Sequence, residues 1–312
     1  MPRARIRPFA LIALALCAAT LVLLATLSGK VPLGHQDADN GPDVSLEATF
    51  IDVGQGDAAL LLLPDGSALL VDGGQRSEGD AVAQAVRALG DDHPCRVLAT
   101  HPHADHIGGL IDVLGQTNVM EVWEPSVRAP TATAQEFEAA IGSSGCPVRV
   151  AAAGTVIVEG PGFCARLLWP PGDADFEDLN DWSAILLVTC ADKTLLMTGD
   201  ARADIIAQAC LEAGVSHVDA LKVAHHGSET GTTQDLVREL SPQVAVVSSG
   251  LDNPYGHPDQ LALDALAGVG TRVYGTAANG EVRMVLDASG IDVETEREGV
   301  VAAGDAWPMV EE

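Results

Sequence analysis

His101-Pro102-His103-Ala104-Asp105-His106 places four potential metal ligands within six residues. The stretch Arg96 to Thr100 before it reads as a short buried strand that ends directly at His101. Two histidines separated by one residue point the same way from an extended segment. Asp105 and His106 then turn into a helix expected over Ile107 to Leu114, where they can serve a second ion. Imidazole and carboxylate together suit zinc, manganese or iron.

Partners for this cluster follow along the chain. Thr198-Gly199-Asp200 closes a strand with a carboxylate suited to bridging two cations. Lys222-Val223-Ala224-His225-His226-Gly227-Ser228 ends another strand with two adjacent histidines. Adjacent residues of an extended chain face opposite ways, so one is expected to bind metal and the other to contact substrate or support a ligand. Upstream, Leu70-Val71-Asp72-Gly73-Gly74 ends a strand on an aspartate. A strand-end Asp-Gly is usually only a turn. Lys222 is as often a surface ion pair, and His257 after Pro254-Tyr255-Gly256 could simply cap that turn. The order and combination of these elements point to chemistry. His35, His93 and His217 receive no role.

Around these motifs, strands are expected over Leu46 to Val53, Ala58 to Leu63 and Ala68 to Val71, with a helix over Gly79 to Leu89. Further strands fall at Val119 to Trp123 and Val148 to Ala152, flanking a helix from Ala132 to Ile141. A second series runs Val156 to Val158, Ala165 to Trp169, Ser183 to Cys190 and Thr194 to Thr198, with a hairpin at Ala191-Asp192-Lys193. Helices and strands then alternate from Asp204 to Leu286, including a strand over Ala220 to Ala224. Strands first, then alternation, twice over, imply two sheets packed face to face with helices outside.

The chain has 312 residues, 47% of them hydrophobic, so it can bury a sizeable core. Its first 30 residues form a separate unit. Arg3, Arg5 and Arg7 precede an uncharged apolar run from Phe9 to Ser28, long enough as a helix to cross a bilayer. Arginines favour the cytoplasmic side, so the rest is expected outside the cell membrane: anchored if the segment is a transmembrane helix, secreted if it is a cleaved signal. Residues 31–45 read as a flexible linker, 46–296 as the domain and 297–312 as a frayed acidic tail. From residue 31 onward thirteen basic residues face 44 acidic ones, a net charge of −31. That disfavours broad nucleic-acid or anionic-lipid binding, although bound cations would reverse the local field at the site. Five cysteines follow the linker, none as C-x-x-C, which leaves buried thiols and one disulfide as alternatives.

These motifs together resemble the metallo-β-lactamase superfamily, whose signature is H-x-H-x-D-H. More closely, the sequence is similar to the extracytoplasmic domain of ComEC-type competence proteins. The likeness rests on Phe50 to Asp57, His101 to Gly109, Asn180 with Ser183, Thr198 to Asp200, His225 to Ser228 and Gly256-His257-Pro258. Phosphorylcholine esterases share the His-His-Gly-Ser element. The resemblance implies an αββα sandwich with a dinuclear site at one edge. It puts His101 and His103 on a first metal, Asp105 and His106 on a second, Asp200 between them, and His226, in preference to His225, on the second site. Asp72 would orient the histidine loop. Many members supply a further histidine to the first metal, but none occurs between Ile107 and Ser216. Asp178, Asn180 and Asp181 lie in the right stretch to replace it with oxygen. The implied cofactors are two divalent ions, zinc first, with manganese or magnesium favoured by more oxygen ligands.

The ligands imply a hydrolase in which cations make water nucleophilic at neutral pH and stabilise developing charge. Asp105, His225 and His257 are the candidates for proton transfer, and Lys222 and Ser228 for contact with a phosphate. The leading expectation is a phosphodiesterase, acting on nucleic acid, a nucleotide or a small diester. An ester, lactone or β-lactam hydrolase on the same site is the alternative, and a non-catalytic module for DNA uptake a third. A basic groove would favour nucleic acid; an apolar pocket beside the metals would favour lactone or lactam.

Overall fold

The computed structural model describes residues 44–90 and 92–298. The N-terminal apolar run, most of the linker and most of the acidic tail lie outside the described residues. No described helix is long and apolar enough to cross a membrane.

The first half supplies β1 (Leu46–Phe50), β2 (Ala59–Leu62), β3 (Ala68–Val71), β4 (Cys95–Leu98), β5 (Val119–Glu124) and β6 (Val148–Val150). Next come β7 (Val156–Gly160), β8 (Phe163–Trp169), β9 (Ile185–Cys190), β10 (Lys193–Met197), β11 (Ala220–Lys222), β12 (Val244–Val247) and β13 (Arg272–Gly275). The chain then returns as β14 (Val282–Asp287) and β15 (Gly290–Thr295) to the first sheet. One sheet runs β15-β14-β1-β2-β3-β4-β5-β6, the other β13-β12-β11-β10-β9-β8-β7. Strand β1 alternates buried and half-buried positions, with Leu46, Ala48 and Phe50 facing the opposite sheet. That is the period of two a one-faced strand requires. Strands β3 and β12 instead read as apolar runs, because helices cover their outer faces.

Three apolar clusters make four layers. The first lies between the sheets and includes Phe50, Leu98, Leu186 and Met284. The second packs helices Ala203–Ala213, Gln234–Leu240 and Gln260–Gly268 onto β10 to β13. The third packs helices Gly79–Ala88, Leu110–Gln116 and Ala132–Ser144 onto β3 to β5. This is the mixed two-sheet α/β sandwich anticipated.

Several boundaries differ. The helix expected over Ile107 to Leu114 is two helices, Ala104–Ile107 and Leu110–Gln116, so the first turn starts inside the ligand motif. The strand expected to reach Ala224 stops at Lys222, because the chain then enters a tight turn. Strand β15 was unforeseen: only Ile291 and Val293 offer it an apolar face, and they pack from the edge onto the inter-sheet core. All five described cysteines carry free thiols, which removes the disulfide alternative among them.

Strands β3 to β6 are parallel, as are β10 to β13. The loops leaving β3, β4, β10, β11 and β12 therefore emerge at carboxyl ends of parallel strands, where open α/β sheets place their ligands.

Candidate metal centre

Asp72, at the end of β3, anchors the site. It holds a positive φ of 60°, sparsely populated for a residue with a side chain. Its Oδ1 accepts the Thr100 amide (2.8 Å) and its Oδ2 the Thr100 hydroxyl (2.7 Å). The same Oδ2 lies 2.8 Å from His106 Nδ1. With its proton on Asp72, Thr100 Oγ1 is left to accept from His101 Nδ1 at 3.1 Å. The network therefore sets Nδ1 as the donor of both buried imidazoles and turns their Nε2 atoms toward the interior of the site.

The loop after β4 delivers the first pair. His101 Nε2 and His103 Nδ1 stand 3.0 Å apart. Two nitrogens on one tetrahedral zinc ion would stand roughly 3.3 Å apart. Burial, and then the nearby His106 charge, pull both rings below the ordinary histidine range, so both are neutral at pH 7.

Asp200, at the end of β10, is the hub. Its Oδ2 lies 3.3 Å from His106 Nε2, 3.5 Å from His226 Nε2, 3.7 Å from His225 Nε2 and 3.8 Å from His101 Nε2. Its amide donates to Ser183 Oγ, which fixes the carboxylate's backbone. Asp105 Oδ2 closes the second group, 3.4 Å from His226 Nε2. The ligand atoms of His101, His103 and Asp200 form one compact cluster, and those of Asp105, His106 and His226 a second. His106 Nε2, His226 Nε2 and Asp200 Oδ1 are buried without a hydrogen-bond partner. Buried polar atoms are rarely left so, and the two Nε2 atoms both face the Asp200 carboxylate at the centre of the clusters. The donor set thus fits two divalent ions.

His225 and His226 do not face opposite ways. Both adopt left-handed backbone, with φ of 50° and 54°, in the turn Ala224–Gly227. This swings both rings toward Asp200, and the alternation of an extended chain does not apply. Gly227 makes the turn feasible: its φ is +89°, and a Cβ there would collide with Pro258. His226 Nδ1 lies 3.0 Å from the Ser248 carbonyl and 3.2 Å from Asp57 Oδ1.

Asp57, given no role by the sequence, is therefore part of the site. It is 5% exposed and accepts Lys222 Nζ at 2.8 Å. Burial works to raise its pKa, but the Lys222 ammonium, then His226 and His106, outweigh burial and hold it at about 2. His226 is likewise penalised by burial, yet Asp200 and Asp57 push it up to about 10. His106 rises well above the ordinary range against burial, through Asp200 and Asp72. Gly56 seats this loop on the ligand motif. The Asp57 amide donates to the Asp105 carbonyl at 3.1 Å, and a Cβ on Gly56, whose φ is +140°, would strike that carbonyl.

Other expected residues are placed elsewhere. Lys222 is 2% exposed and donates to Asp57 and the Val223 carbonyl, so it is a buried support and not a phosphate contact. The Ser228 hydroxyl is engaged by the Thr230 hydroxyl and amide within its own turn. Asp181 turns to Arg202 at 3.0 Å and is withdrawn from the first site. Asp178 caps the short helix Leu179–Trp182 by accepting the Asn180 amide, and its charge reaches His103. Asn180 Oδ1 is buried without a partner. His257 does not cap its turn; Asn253 does, accepting the Tyr255 and His257 amides. The His257 ring instead packs edge-on against His225, with centroids 5.6 Å apart.

The two discriminating features also resolve. The recess beside His101 is lined by Pro102, Ile107, Val127 and Phe137 but also by Glu124, Arg128 and Glu138, so it is not a purely apolar pocket. Ten of the thirteen described lysines and arginines lie within ion-pair distance of an acid. The other three, Arg87, Arg166 and Arg272, sit on three separate elements, so no basic groove forms among the described residues.

Residues 51–250 match the family described as the Metallo-beta-lactamase superfamily. The chain is 27% identical over 254 residues to Recombination protein 2 of Haemophilus influenzae, covering 79% of this chain and 30% of that protein. It is 25% identical over 255 residues to ComE operon protein 3 of Bacillus subtilis, covering 76% of this chain and 32% of that one. It is 24% identical over 308 residues to Competence protein ComA of Neisseria gonorrhoeae, covering 92% and 40%. The chain thus spans less than half the length of these curated relatives. Among solved structures, a mutant CmlA beta-hydroxylase aligns with a TM-score of 0.50 and 14% identity over 79% of this chain and 54% of that one, a likeness of fold alone.

Proposed function

From the premise that the chain belongs to the metallo-beta-lactamase superfamily, we propose that it is an extracytoplasmic metal-dependent phosphodiesterase acting on short nucleotide or other small diesters. The observation that carries this reading is the Asp200 carboxylate, reached by four histidine nitrogens at the seam of two ligand clusters. Such a seam suits a pair of cations a few ångströms apart, the arrangement used for in-line displacement at phosphorus. Bound there, divalent cations would supply Lewis acidity and make water nucleophilic at neutral pH. The charged side chains in the wall of the recess beside His101 give no support to an apolar acyl substrate, and the ion-paired arginines none to long DNA. The names of the curated relatives, recombination and competence, support a substrate from the nucleic-acid class. The arginine-flanked apolar run at the N-terminus supports placement outside the cell membrane.

The chain's own residues divide the work. Asp72, Thr100 and Asp57 fix the histidine rings so that each Nε2 faces inward. His225, whose side chain is 29% exposed and whose Nε2 lies 3.7 Å from Asp200 Oδ2, is the residue we assign to hand a proton to the leaving oxygen. His257, kept neutral at pH 7 by burial and by the neighbouring histidines despite Asp259, packs against His225 and positions it.

The test uses the full chain in detergent, stripped of metal and reloaded with zinc or manganese. Bis-p-nitrophenyl phosphate turnover should require metal and vanish in His103→Ala and Asp200→Asn. Folded protein carrying two metal equivalents but cleaving only p-nitrophenyl butyrate would move the assignment to ester chemistry. Loaded protein that cleaves neither would leave a binding module.

A further inference from the structure

Tyr255 is 65% exposed, whereas every other described phenylalanine, tyrosine and tryptophan is buried or half-buried. It is not on a random stretch of surface. Its ring stacks on His257, with centroids 5.9 Å apart and planes 25° from parallel, and His257 packs on His225 at the metal centre. One face of Tyr255 is therefore backed by the wall of the site, and the ring is open to solvent.

The loop that carries it is held firmly. The Asn253 side chain accepts the amides of Tyr255 and His257 and donates to the carbonyls of Gly250 and His257. The Gly250 amide in turn donates to Gln55 Oε1, on the loop that seats Asp57. An aromatic ring fixed in this way, exposed and backed by a second ring, is a preorganised stacking surface.

Resting on the phosphodiesterase reading, we propose that Tyr255 is the platform on which a nucleobase of the substrate stacks while its phosphodiester lies at the metal centre. The site would thereby select nucleotides over diesters without a base. A quaternary ammonium substrate fits less well, because cation recognition uses several aromatic walls and only one is exposed among the described residues. Stacking needs one face, tolerates any base and asks for no basic groove, as the ion-paired arginines require.

The experiment uses the metal-loaded full chain, with thymidine dinucleotide and its analogue lacking both bases as substrates. Wild type should prefer the dinucleotide in kcat/KM. Tyr255→Ala should erase that preference by about 5- to 150-fold, the loss lying in KM, while Tyr255→Phe keeps it. Binding of the fluorescent nucleotide etheno-adenosine monophosphate, which needs no turnover, should weaken by the same factor in Tyr255→Ala. Equal losses on both substrates, or Tyr255→Phe as impaired as Tyr255→Ala, would overturn the platform. A Tyr255-dependent preference for glycerophosphocholine would overturn it in favour of a cation. Tyr255-dependent nucleotide binding without cleavage of any diester would support the platform and sink the phosphodiesterase reading. Neither cleavage nor Tyr255-dependent binding would overturn both.

Discussion

Replacing Asp57 by asparagine removes one charge and almost no volume. In the native structure that carboxylate holds the Lys222 ammonium at 2.8 Å, with both side chains nearly inaccessible at 3% and 8% exposure. Without the charge, Lys222 keeps only neutral acceptors, the Val223 carbonyl and the asparagine oxygen. Breaking a buried pair from one side costs about 3–5 kcal/mol. The asparagine oxygen still accepts a hydrogen bond, so about 3 kcal/mol is expected, a large part of a typical domain's stability. Urea unfolding of the metal-free protein would read this as a lower midpoint at unchanged slope. Adding Lys222→Met should restore most of the loss, because an apolar replacement of a whole buried pair is often neutral. The double variant would still lack the carboxylate 3.2 Å from His226 Nδ1. Its affinity for the second cation should therefore stay about 10- to 100-fold weakened, measured by competition with a chromogenic chelator. A loss under about 1 kcal/mol in Asp57→Asn, or metal affinity recovering along with stability, would refute the assignment of both roles to this residue.

Two further outcomes follow from proton positions. His226, held up to about 10, and His106, well above the ordinary range, carry protons in the metal-free protein at pH 7, whereas a cation needs their Nε2 lone pairs. Metal affinity should rise with pH, with proton release visible as a buffer-dependent binding enthalpy. Metal-free stability should run the other way. The contribution of His226 is complete below its unfolded pKa of about 6.5 and is lost as pH rises through about 10. A flat urea midpoint across that window would contradict it. Among the described cysteines, burial holds the thiols of Cys95, Cys190 and Cys210 at about 11, while Cys146 is partly exposed. Ellman's reagent should modify Cys146 rapidly and the other three only on unfolding; rapid reaction of all three in folded protein would count against the packing described.

What the sequence disclosed and what it concealed follow from how far each residue's role depends on distant partners. His101, His103, Asp105 and His106 share one loop, so their spacing alone places them together. The strands that carry Asp72 and Asp200 were legible because apolar runs ending in Asp-Gly or Gly-Asp mark the ends of buried strands. The role of Asp57 was not, because its partner Lys222 is 165 positions away and on the other sheet, so only the packing of the two sheets brings them into contact. Asp181 has the chemistry of a ligand and sits in the expected stretch, yet Arg202 claims it. Residue type could not tell these aspartates apart.

The adjacent histidines make the same point at shorter range. Alternation along an extended chain assigns them opposite directions, and the prediction fails because two non-glycine residues accept left-handed backbone, each at about 1–3 kcal/mol. Such strain persists only where the surroundings determine it. Here they do so twice: Asp57 and the Ser248 carbonyl hold one side of the His226 ring, and Gly227 lets Pro258 close over the turn. The loop bearing Pro258 is also the loop bearing His257 and Tyr255. The turn that aims two histidines at Asp200 is thus clamped by the segment proposed to receive the substrate. Strain at the ligands and shape at the substrate side are consequently set by one contact, and displacing that loop would disturb both together.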